Sequence, residues 1–83
     1  MNILYFAWVR QKVGRSEETI ELTQELRTVR DLALFLSARG GGYAEAFADM
    51  TRLRVALNQA HAGLDASLSA GDEIAFFPPV TGG

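Results

Sequence analysis

Residues 72–83 read Asp72-Glu73-Ile74-Ala75-Phe76-Phe77-Pro78-Pro79-Val80-Thr81-Gly82-Gly83, which divides into a strand, a stiff stem and a slim tip. Gly71-Asp72 is a turn signal, and the run up to Phe77 predicts a strand. Pro78 and Pro79 fix φ, remove two backbone donors and hold the stem near polyproline II geometry. Gly82 and Gly83 carry no Cβ, so they fit a channel too narrow for any other residue. The Gly83 carboxylate is then the one group the chain can carry deep into another protein. Gly-Gly at a chain end is also what a frayed terminus looks like. The Phe-Phe-Pro-Pro stem in front of it favours presentation.

Upstream, the chain reads as a scaffold for that tail. Asn2 to Val9 is apolar almost throughout and predicts a strand, with Ile3, Tyr5, Ala7 and Val9 on one face. Leu4, Phe6 and Trp8 take the other. Arg10 to Ser16, with Gly14 in it, predicts a turn. Glu17 to Thr23 alternates as a second strand, Ile20 and Leu22 inward, Thr19 and Glu21 outward. Thr28-Val29-Arg30-Asp31 resembles a capping arrangement ahead of a helix carrying Val29, Leu32, Ala33, Phe35 and Leu36. Arg39 suits the last turn of that helix, and Gly40-Gly41-Gly42 ends it. No Gly-Lys-Ser/Thr follows the triple glycine, so it is not a phosphate loop.

Tyr43 to Met50 predicts a short second helix, with Tyr43, Phe47 and Met50 on one side. Leu53, Val55 and Leu57 alternate with Arg52, Arg54 and Ala56 as a third strand. Asn58 to Gly63 predicts a turn or short hairpin, and Leu64 and Leu68 anchor a loop to the core. The expected architecture is α+β, a mixed sheet with a helix packed across one face. Residues 1–77 form the domain and 78–83 an extended tail.

With 83 residues there is room for one modest core. The net charge of -2, with acids and bases interspersed, argues against nucleic acid or an anionic membrane as partner. No basic stretch followed by an apolar run opens the chain, so a cytoplasmic address is expected. There is no cysteine, so neither a disulfide nor a thiol or persulfide nucleophile resides here. His61, the only histidine, has no acidic or second imidazole neighbour at ligand spacing and reads as a surface residue. Ser16, Ser37, Ser67 and Ser69 lack a nucleophile-elbow context. No active site and no metal site emerge inside the domain.

Adjacent residues in a strand face opposite ways, so Phe76 and Phe77 cannot both enter one core. With Ile74 and Phe76 inward, Phe77 points out beside the tail. Phe6 and Trp8 are a similar surplus on the first strand. Exposed aromatics on two central strands predict a docking patch.

The run Gly71 to Gly83 resembles the small subunit of molybdopterin synthase, one of the ubiquitin-like sulfur carriers with a β-grasp fold. Leu4-Tyr5-Phe6-Ala7 with Val9-Arg10, and Val55-Ala56-Leu57-Asn58-Gln59, are similar to the same family. Glu25 to Met50 matches in element order rather than in residues. Gln11 stands where the resemblance implies an acid, and His61 where an apolar residue is common. The resemblance implies that an ATP-dependent adenylyltransferase activates Gly83 and that a separate sulfur donor converts it to a thiocarboxylate. The chain itself binds no cofactor and is no enzyme alone. Val80, Thr81 and Gly82 would follow Pro78 and Pro79 into the large synthase subunit, within a heterotetramer. There the sulfur would build a dithiolene on a cyclic pyranopterin. Phe6, Phe77 and His61 are the implied docking residues. The tail alone also allows a thiamine-pathway carrier, or a protein modifier joined through Gly83 to lysines.

Overall fold

The first strand, β1 (Asn2–Tyr5), sends Ile3 and Tyr5 into the core and leaves Asn2 and Leu4 on the opposite face. These come from a computed structural model that describes residues 1–79. The strand was expected to run to Val9, but it stops at Tyr5. Phe6 donates its backbone N–H to the Phe76 carbonyl (3.1 Å) and then caps α1 (Ala7–Val13), accepting from Val9 and Arg10. Ala7 takes a φ of +53° at this corner. A short apolar run cannot separate period 2 from period 3.6. Tyr5 and Val9 lie four apart, an even step in a strand and also one helical turn, so both are buried under either reading. The expected turn over Arg10 to Ser16 is therefore mostly helix, closed by Gly14 at φ +90°.

Strand β2 (Glu17–Thr19) is shorter than the Glu17 to Thr23 expected. Ile20 still enters the core, and its carbonyl accepts the Met1 ammonium at 2.8 Å. Helix α2 (Val29–Ser37) opens with the capping box read from the sequence. Thr28 Oγ1 accepts from the Asp31 N–H (3.2 Å), and Asp31 Oδ2 accepts from the Thr28 N–H (3.1 Å). Val29, Leu32, Ala33 and Leu36 are buried, whereas Phe35, expected inward, is 43% exposed. Phe35 belongs to the outer flank of the apolar stripe.

The triple glycine was expected to end this helix with Arg39 in its last turn, but α2 already stops at Ser37, Arg39 lies beyond it, and the glycines open the next helix. Gly40 precedes α3 (Gly41–Ala46), and Gly41 and Gly42 form its first turn. A Cβ on Gly42 would stand 1.7 Å from the Lys12 carbonyl oxygen, so glycine is what lets α3 cross α1 closely. The second helix was expected over Tyr43 to Met50; it ends at Ala46, and a separate 3-10 turn covers Met50–Arg52.

Strands β3 (Arg54–Leu57) and β4 (Ala60–Ala62) form the expected hairpin, with Asn58 and Gln59 at φ +52° and +72° in its two-residue turn. Asn58 is also bound to β5 (Glu73–Phe77): its Oδ1 accepts from the Glu73 N–H at 2.9 Å. The sheet order is β2-β1-β5-β3-β4, with β1 and β5 parallel and the other pairs antiparallel. Phe76 sits at the centre of the core, stacked on Tyr5 (6.4 Å) and edge-on to Phe47 (4.9 Å). Burying a ring of this size contributes about 3 kcal/mol. No helix among the described residues is long and apolar enough to cross a membrane.

Candidate docking face and carrier tail

Because β1 and β5 run parallel, both end at the same side of the sheet, where the chain leaves for its tail. Phe6 follows the last residue of β1 and is 47% exposed. Phe77 is the last residue of β5, opposite Arg54 at the start of β3. Alternation puts Phe77 on the open face while Phe76 is fully buried, as the sequence predicts. Pro78 and Pro79 are half-buried beyond it; Val80, Thr81, Gly82 and Gly83 lie outside the described residues.

His61 on β4 shares this face. Its ring centroid lies 5.9 Å from that of Phe77, at 63° to it, so two of the expected docking residues touch edge to face. Phe6 stands at the same end of the sheet. Trp8, expected beside Phe6 on a strand face, is instead half-buried in the first turn of α1, with the Arg52 guanidinium 5.2 Å from its ring centroid. It lines a groove of about 570 Å³ with Lys12, Glu45, Asp49 and Arg52.

A polar cluster missed from the sequence lies on the core side of β1 and β2. Glu18 Oε2 accepts hydrogen bonds from the hydroxyls of Tyr5 (2.8 Å) and Tyr43 (2.5 Å), and Oε1 accepts from Arg39 Nη1 (2.7 Å). The Glu18 side chain is only 7% exposed. Burial pushes its carboxyl up, but the bonds from Tyr43, Arg39 and Tyr5 outweigh that and hold it below the usual carboxylate range. Burial first, and then the Glu18 carboxylate, pushes the Tyr5 hydroxyl well above the ordinary tyrosine value; Tyr43 moves the same way. Period two places Glu18 on the face of Ile20, and Tyr5 on the face of Ile3. A buried tyrosine hydroxyl needs a partner, and that parity was the available signal. The cluster ties the edge strand β2 to β1, to α3 and to the turn that follows α2. Among the described residues no group of three or more His, Cys, Asp or Glu could hold a metal ion.

Residues 3–83, which include the tail, match the ThiS family. The chain belongs to that family. Over 83 residues this ThiS-family chain is 39% identical to the molybdopterin synthase sulfur carrier subunit of Haemophilus influenzae, covering 100% of itself and 99% of that protein. It is 40% identical over the same length to the subunit of that name from Escherichia coli, again covering 99% of it. Among solved structures, SAMP1 from Haloferax volcanii matches with a TM-score of 0.74 at 27% identity, covering 100% of this chain and 98% of that one. A chain of the complex of subunits 1 and 2 of molybdopterin-converting factor from Helicobacter pylori matches with a TM-score of 0.65. That match covers 99% of this chain and 96% of the other at 23% identity, and speaks to the fold alone. The fold is the ubiquitin-like β-grasp expected from the sequence.

Proposed function

We propose that the chain is the sulfur-carrier small subunit of a molybdopterin synthase, with Gly83 as its working residue. The observation that carries this reading is identity of 39–40% to two such subunits over the full length, tail included. A carboxylate is a poor electrophile. Attack of the Gly83 carboxylate on the α-phosphate of ATP, in a separate adenylyltransferase, would give an acyl-adenylate and release pyrophosphate. Sulfur from a donor protein would then displace AMP and leave a thiocarboxylate. That group stores sulfur on a chain that has no cysteine.

Delivery follows from shape. Pro78 and Pro79 start the tail as a stiff stem at the end of β5, and Val80, Thr81 and Gly82 lead the thiocarboxylate into the large subunit. Two deliveries convert a cyclic pyranopterin to the dithiolene that binds molybdenum. Phe77, His61 and Phe6 dock the domain while the tail is threaded, and a heterotetramer of two small and two large subunits is the expected assembly. ATP is bound by the activating enzyme. The carrier is not an enzyme alone, and works in the cytoplasm with these partners.

The test is reconstitution with the large subunit and the activating enzyme. Gly82→Val and deletion of Gly83 should each abolish sulfur transfer while circular dichroism stays that of the parent. Full activity of Gly82→Val would contradict the narrow-channel argument. Likeness to SAMP1, small archaeal modifier protein 1 of Haloferax volcanii, favours a second reading as a protein modifier. Isopeptide adducts of Gly83 on lysines of cellular proteins would decide for it.

A further inference from the structure

The open face of the sheet carries one row of side chains across all five strands: Glu17, Leu4, Ala75, Ala56 and His61. The strand register fixes the row, pairing Leu4 with Glu17 and Ala75, and Ala56 with Ala75 and His61. Its middle is apolar and low, because two of the three central residues are alanine. Phe77 and Arg54 form the next row, on the tail side. Glu73, paired with Asn2 one row further from the tail, adds a carboxylate to this face on β5, and from Glu17 and Glu73 across to Arg54 and His61 the face is polarised. A carboxylate stands at the β2 edge, and a guanidinium and an imidazole stand at the β3–β4 edge.

The charges at the two edges are available to a partner. Arg54 Nη1 donates to the carbonyls of Thr51 (3.2 Å) and Leu53 (2.9 Å), which fix the guanidinium in place without neutralising it. The ion pairs among the described residues use Arg15, Arg30, Arg39 and Lys12, and include neither Arg54 nor Glu17. His61 is exposed and offers an N–H donor whether neutral or protonated. Three inter-strand steps separate Glu17 from Arg54 by about 14 Å, and four separate it from His61 by about 19 Å. Both exceed the Debye length of about 8 Å at physiological salt, so the two sides act as independent anchors.

We propose that this face selects and orients its partner by charge order. It takes a protein surface with an apolar centre, a carboxylate opposite Arg54 and His61, and a cation opposite Glu17. The proposal rests on the carrier reading, and the partner it commits to is the large synthase subunit. The order of charges is a polarity as well as an affinity term: a partner turned by 180° in the plane would meet like charge at both edges. Complementary rims act chiefly on association rate and on register.

The experiment is stopped-flow association of the full chain with the large subunit of its own organism, at low and at high salt. Arg54→Glu, His61→Glu and Glu17→Arg should each slow association about tenfold at low salt, with the differences closing at high salt. Glu25→Arg, an exposed charge reversal outside the row, should change little. His61→Glu keeps the test open if Arg54→Glu fails to fold, because His61 lies exposed on an edge strand. Unchanged rates in the three variants, with the parent binding normally, would overturn the charge-order proposal. No binding by the parent would instead overturn the carrier reading itself. Sedimentation of the chain alone supplies the last arm. A dimer that Glu17→Arg dissolves would assign the face to a second copy and overturn the proposal.

Discussion

The hydroxyl of Tyr5 donates to the carboxylate of Glu18 at 2.8 Å, joining the core-facing side of β1 to that of the edge strand β2. Glu18 also accepts from Tyr43 and Arg39, so one carboxylate holds β2, α3 and the turn after α2 together. Glu18→Ala would leave a buried tyrosine hydroxyl without its acceptor. It should cost about 3 kcal/mol, read as a lower urea midpoint at unchanged slope. A loss below about 0.5 kcal/mol would mean that the cluster contributes nothing to stability.

The same cluster sets two limits in pH. Folded Glu18 binds a proton less readily than the unfolded chain, because its hydrogen bonds outweigh the opposing effect of burial. Its contribution is therefore present above the ordinary carboxylate value of about 4 and is lost as pH falls through the lower folded value. Asp31, Asp49 and Asp72, held low by hydrogen bonds from neighbouring N–H and hydroxyl groups, act in the same direction. Tyr5 and Tyr43 are raised, chiefly by burial and then by Glu18, so their contribution is present below about 10 and lost above it. Urea midpoints against pH should show both limbs, and Glu18→Gln should flatten the acid one.

Gly42 is a packing requirement. Gly42→Ala places a Cβ 1.7 Å from the Lys12 carbonyl oxygen and must push α1 and α3 apart. A loss of about 2 kcal/mol is expected in thermal unfolding. Gly63, whose Cβ would meet nothing within 4 Å, is the control, and Gly63→Ala should be neutral.

Phe76 and Phe77 should separate stability from docking. Phe76→Ala removes a fully buried ring and should cost about 4 kcal/mol, enough to unfold a marginal domain. Phe77→Asp lies on the open face and should leave the urea midpoint nearly unchanged while weakening large-subunit binding about thirtyfold. Unfolding of Phe77→Asp would reverse the face assignment.

Much of the fold was legible because period two and period 3.6 are unambiguous over several residues. Val55 against Arg54, Ile74 and Phe76 against Phe77, and Val29, Leu32 and Leu36 on α2 all took the faces expected of them. The break after Tyr5 was not legible, since Ala7, Trp8 and Val9 are apolar and too few to show a period. Strand β2 was overextended because Ile20 and Leu22 keep an alternating pattern after the ladder has ended. Of the candidate docking face, the outward position of Phe77 was read from the alternation, whereas His61 was read only as a surface residue and came to the face through the family resemblance. The row from Glu17 to His61 was not legible, because it depends on the register of five strands that no local pattern fixes.

The central claim is that Gly83 carries sulfur, and intact-mass measurement of the protein from its own cells tests it most directly. A parallel sample should lack Gly83. The account predicts a species heavier than the sequence by the difference between one sulfur and one oxygen atom, present in the parent and missing from the truncated form. An unshifted mass in cells that are actively making the molybdenum cofactor would contradict it.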